Sequence, residues 1–121
     1  MRAALAVLAG YPAPRVAVLG DMLELGEATP AAHREIVALA ASTAERCALI
    51  GPHFAAAASR VALDEQAISI HSAWSEGLAA EIAAALTPNA TLLIKGSRGM
   101  ALERLLPAVD ARFSADPQGS G

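Results

Sequence analysis

The chain alternates short, almost wholly apolar runs with longer segments whose apolar residues recur every three or four positions. The short runs are residues 15–19 (Arg15-Val16-Ala17-Val18-Leu19), 47–50 (Cys47-Ala48-Leu49-Ile50), 67–71 and 91–95. Runs of this length and apolarity read as strands buried on both faces. Between them the period is helical. Residues 1–9 put Met1, Leu5 and Leu8 on one face and stop at Gly10, and Pro12 and Pro14 forbid continuation. A second helix is expected over 30–44, with Thr29 as N-cap and Pro30 at the first helical position. A third is expected over 53–63. A fourth, capped by Ser72, runs to residue 86 with Leu78, Ile82, Ala85 and Leu86 on one face. A last helix starts near Ser97, where Leu102, Leu105, Leu106 and Val109 share a face and Pro107 is expected to kink or shorten it.

Strands separated by helices, each strand nearly apolar throughout, predict a doubly wound parallel sheet in a three-layer α/β/α, Rossmann-like domain. The expected strand order is 3-2-1-4. One domain is expected over 1–113, and residues 114–121, "SADPQGSG", read as a disordered tail. In such sheets a ligand sits beyond the carboxyl ends of the strands, where the winding reverses, here between strands 1 and 4.

Composition narrows the function classes. The 121 residues are 55% hydrophobic but only 3% aromatic, and alanine-rich, which favours helices lying close on a sheet. A net charge of −3 argues against a nucleic-acid surface. No apolar stretch reaches the ~18 residues of a membrane span, and the N-terminal run is barely long enough for a signal peptide. The lone Cys47 cannot form an internal disulfide and reads as a small buried residue, which suits a cytoplasmic setting.

Two segments carry possible chemistry, and the expected topology makes them neighbours. After strand 1 comes Gly20-Asp21-Met22, with Glu24 and Glu27 in the following loop. A packed core has no evident use for a carboxylate at Asp21. The residue either forms a local Asx-turn or hydrogen-bonds a ligand's hydroxyl or amine. After strand 4 comes Lys95-Gly96-Ser97-Arg98-Gly99, where two cations bracket the start of a helix. Free backbone N–H groups, the helix dipole and both cations favour a carboxylate or phosphate, unless Ser97 merely caps the helix. His33 could contact the loop of Glu24 and Glu27. His53 and His71 lack partners at metal-ligand spacing, so no metal site is expected. Trp74 and Leu78 read as packing residues.

No P-loop, no G-x-G-x-x-G after a strand and no G-x-S-x-G elbow occurs. The anion-friendly crevice therefore looks like part of a catalytic apparatus whose remainder lies elsewhere.

"VAVLGDMLELGE" followed by "AAHREI", and later "LLIKGSRGMALERLL", resemble the C-terminal domain of the Mur ligases over residues 1 to about 112. They are most similar to the member that adds D-alanyl-D-alanine to UDP-N-acetylmuramoyl-tripeptide in peptidoglycan synthesis. The resemblance implies an ATP-dependent ligase in which this domain binds the incoming dipeptide and closes over the nucleotide. ATP and Mg²⁺ would be held mainly by other domains. It implies a nucleotide-facing Asp21, a dipeptide crevice lined by Lys95, Gly96, Ser97 and Arg98, and a loop ordered by Glu24 and His33. No catalytic residue is expected within the chain. The family's preceding strands and P-loop do not occur in it, so a truncated product, excised domain or incomplete reading frame is expected, inactive alone and with strand 4 as an exposed edge. The alternatives are a free-standing α/β anion-binding or regulatory module, or a folded but inert fragment.

Overall fold

In the computed structural model the described residues are 1–23, 25–59, 67–96 and 102–114. The expectations for Glu24, Ser97, Arg98, the end of the third helix and the C-terminal tail lie outside them. The elements are α1 (Arg2–Ala9), β1 (Arg15–Gly20), a 3₁₀ turn (Gly26–Ala28), α2 (Thr29–Thr43), β2 (Arg46–Ile50) and α3 (Pro52–Ala58). They continue with β3 (Ile68–His71), α4 (Glu76–Ala85), β4 (Thr91–Lys95), a further 3₁₀ turn (Leu102–Arg104) and α5 (Leu105–Ser114).

The sheet has the order β3-β2-β1-β4, as the alternation of runs predicts, and every pairing is parallel. Because β1 is central it needs apolar side chains on both faces, and Val16 through Gly20 are all buried. Alternate residues feed separate cores. Ala17, Leu19, Cys47 and Leu49 pack with Leu5, Leu8, Ile36, Val37 and Phe54 from α1, α2 and α3. Val18, Ala48 and Ile50 pack with Leu78, Ile82, Leu102 and Leu105 on the other face. The strand period of two thus divides one apolar run between two helical layers.

Three local expectations change. Thr29 does not cap α2. It lies inside the helix, and its hydroxyl donates to the Gly26 carbonyl at 2.7 Å, bracing the preceding 3₁₀ turn. Ser75, not Ser72, caps α4, its hydroxyl accepting from the Leu78 N–H at 3.0 Å. Pro107 does not break its helix, because α5 begins at Leu105. The ring occupies the first turn, where an N–H has no intrahelical acceptor to lose.

The amino ends of β1 and β2 are held by an ion pair. The Arg15 backbone N–H and guanidinium both donate to Glu45, at 2.6 Å and 3.0 Å, while the Glu45 N–H donates back to the Arg15 carbonyl at 2.9 Å. These bonds lower the Glu45 pKa to about 2 and raise that of Arg15.

Candidate site at the carboxyl ends of β1 and β4

Strands β1 and β4 run side by side, Leu19 opposite Lys95, so the segments that follow them emerge together at the reversal of the winding. The approach is close. A Cβ on Gly96 would lie 3.1 Å from the Gly20 Cα and 3.0 Å from Leu102 Cδ1. Glycines at 20 and 96 bring the two backbones together and leave the adjoining Lys95 exposed. Lys95, Gly96 and Asp21 are therefore neighbours around one sheet end, while Ser97, Arg98 and Glu24 lie outside the described residues.

Asp21 has a role that reading the chain in order does not disclose. It is buried, at 1% exposure, and its carboxylate reaches across the sheet to the first turn of α3. Oδ2 accepts from the His53 N–H and Oδ1 from the Phe54 N–H, both at 2.9 Å. The premise that packing has no use for a carboxylate here is thus corrected. A helix start buried against a sheet has N–H groups without intrahelical acceptors, and an anion satisfies them while meeting the positive end of the helix dipole. Asp21 N–H in turn donates to the Ile50 carbonyl at 3.0 Å.

Gly51 makes that contact possible. Its φ of +125° disfavours any side chain. A Cβ there would stand 2.3 Å from Asp21 Cγ. The missing side chain is the space the carboxylate occupies. Sequence reading treats Gly51 as the end of a strand. The Gly51-Pro52 pair was the available signal for a sharp strand-to-helix turn.

His33, wholly buried, joins the two ends of the β1–α2 loop. Its Nε2 accepts from the Met22 N–H at 3.0 Å, so the proton sits on Nδ1, which donates to the Thr29 carbonyl at 2.7 Å. Both ring nitrogens are used. Nε2 lies 3.9 Å from Asp21 Oδ1. The ring packs edge-on to Phe54, with centroids 4.7 Å apart, and 5.2 Å from His53. Asp21, His33 and the start of α3 form one buried unit beneath the loop. Above it Leu23 and Leu25 are exposed.

Comparison with known proteins agrees with this architecture. The family model described as "Mur ligase, glutamate ligase domain" matches residues 1–98. A UDP-N-acetylmuramoyl-tripeptide–D-alanyl-D-alanine ligase of Treponema pallidum is 38% identical over 99 residues, covering 77% of this chain and 21% of that protein. Among solved structures, MurF of Thermotoga maritima, determined with ADP, superposes with a TM-score of 0.74 at 22% identity, covering 92% of this chain and 25% of that one. MurF of Acinetobacter baumannii gives a TM-score of 0.73 at 26% identity, covering 90% and 25%. The chain spans about a fifth to a quarter of the length of these relatives. It belongs to the Mur ligase family, whose C-terminal, glutamate ligase domain it represents.

Proposed function

We propose that the chain is the C-terminal domain of a D-alanyl-D-alanine-adding ligase, the MurF type, and that it binds the incoming dipeptide and closes over the nucleotide. The observation that carries this reading is the juxtaposition of Lys95 and Gly96 with Gly20 and Asp21 at the reversal of the winding. An exposed ammonium beside two closely approaching backbones suits a small ligand's carboxylate. Ser97 and Arg98, next in sequence, would complete that anion site.

In this reading Asp21 acts from behind the surface. Its carboxylate fixes the start of α3 and, with His33, the β1–α2 loop whose exposed residues would face the nucleotide domain. That makes both positioning residues. Glu24, in the same loop, would serve the same end. Among the described residues no three His, Cys, Asp or Glu side chains converge as metal ligands. On the family resemblance, ATP, Mg²⁺ and the UDP-N-acetylmuramoyl-tripeptide would be held by the remainder of a longer protein, and the isolated chain would not ligate. No helix among the described residues is long and apolar enough to cross a membrane, and a cytoplasmic setting belongs to the same reading.

The test is an NMR titration of the ¹⁵N-labelled chain with D-alanyl-D-alanine, with L-alanyl-L-alanine as control. Saturable shifts at residues 20–27 and 95–99, given only by the D-dipeptide and lost in Lys95→Ala, are expected. Equal response to both dipeptides, or none at either segment, would overturn the dipeptide assignment and leave the family assignment standing.

A further inference from the structure

At the opposite end of the sheet the second core is incompletely filled. Helix α4 lies over β1 and β2, where Val18 and Ala48 pack with Leu78 and Ile82, and the small side chains of Ala48 and Ser69, opposite each other in the register, leave a hollow beside that contact. The result is a cleft of about 200 Å³ between the sheet face and α4, walled by Val16, Val18, Leu78, Ile82 and Leu86. A second cleft of about 130 Å³ adjoins it, and the two share Val16, Arg46 and Ala85. An apolar cavity of about 150 Å³ already accepts a benzene-sized guest.

The charged groups at this opening are specific. Arg46 lines both clefts and is exposed, and Glu81 on α4 faces the larger one. Glu45 also lines the smaller cleft, but it is bonded to Arg15 at 3.0 Å. Among the described residues Arg46 and Glu81 form no ion pair with each other or with a third group. An unpaired cation and an unpaired anion thus share the entrance of an apolar hollow.

We propose that this cleft is a second small-molecule site, separate from the β1–β4 end, and that its ligand is a free apolar α-amino acid of leucine size. The side chain enters the hollow against Val16 and Ile82, beside Ser69. The carboxylate meets the Arg46 guanidinium, whose paired donors match it. The ammonium meets Glu81. A ligand with only one of these charges leaves the other protein group unmatched, so the zwitterion is the complementary form.

The experiment is a ¹⁵N NMR titration of the whole chain with leucine, 4-methylpentanoate, 3-methylbutylamine and benzene. Leucine is expected to give saturable shifts at residues 46–48, 67–69 and 78–86 and none at 20–23 or 95–96. Each singly charged analogue should bind at least about tenfold more weakly, the factor that 1.4 kcal/mol represents. Arg46→Ala and Glu81→Gln, both at exposed positions, should each weaken leucine similarly, and Ser69→Leu should abolish the shifts by filling the hollow. Binding of benzene alone would overturn the proposal, since it shows a plain cavity. So would leucine shifts insensitive to Arg46→Ala and Glu81→Gln, or no saturable response. The dipeptide reading stands or falls separately, because its resonances lie at the other end of the sheet.

Discussion

The Asp21 carboxylate fills the space where a side chain on Gly51 would be. The approach joins the ends of β1 and β2 to the start of α3. Gly51→Ala would require both a new backbone angle and displacement of a buried carboxylate from two N–H groups. A loss of about 2–4 kcal/mol is expected from strain and broken hydrogen bonds together, read as a lower urea midpoint with an unchanged slope. Asp21→Ala should cost a comparable amount, and the double variant less than the sum, because one contact is shared.

His33→Ala removes an acceptor for Met22 N–H and a donor to the Thr29 carbonyl in one step. The local consequence should exceed the global one. Limited proteolysis is expected to cut the variant within residues 22–29 under conditions that leave the parent intact. Global stability should fall by about 2–4 kcal/mol for a truncated buried side chain. Unchanged proteolysis would remove His33 from the ordering of the loop.

At Gly96 an added methyl meets backbone on one side and the end of a side chain on the other. Leu102 can move, whereas the Gly20 Cα at 3.1 Å can do so only by separating the strands. Gly96→Ala should therefore cost about 1–3 kcal/mol. Amide exchange should quicken first at residues 19, 20 and 95, beside the strained approach.

The Arg15–Glu45 pair makes a defined contribution to pH dependence. Glu45 has a folded pKa of about 2 against an ordinary 4.5, so the unfolded chain binds its proton first on acidification. Its stabilisation is complete above the unfolded value and is lost as pH falls from about 4.5 toward about 2. Denaturation midpoints measured across that window should fall less steeply in Glu45→Gln than in the parent. Equal slopes would show that the pair contributes nothing.

Cys47 is buried, and burial raises its pKa to about 11. Its Sγ–H is directed at the Ala40 carbonyl, 3.5 Å away. A thiol reagent at pH 8 should label the native protein only as fast as the chain opens, and at once in urea. Rapid labelling of the native form would contradict its place in the core.

The apolar runs were sufficient to locate the four strands among the described residues: β1 and β2, covered on both faces, need apolar side chains at nearly every position, while the outer β3 and β4 are only partly covered, with Ser69, Ile70 and Lys95 exposed. The helix starts were less legible. Thr29, Ser72 and Ser75 all have capping chemistry, and only the observed backbone selects Ser75. Lys95 and Gly96 stood out because cations and glycines cluster after a strand. Asp21 stood out too, but its partners did not, being 32 and 33 residues away on another element.

By itself the sequence determined the alternation of strand and helix, the parallel sheet and the family, since these rest on local periodicity and on motifs contiguous in the chain. The tertiary structure alone decided what the Asp21 carboxylate binds, why residue 51 is glycine, and that Ala48 and Ser69 leave a hollow beneath α4. Each depends on the distance between atoms far apart along the chain. Such distances follow from how the helices settle on the sheet, and no spacing within one segment encodes them.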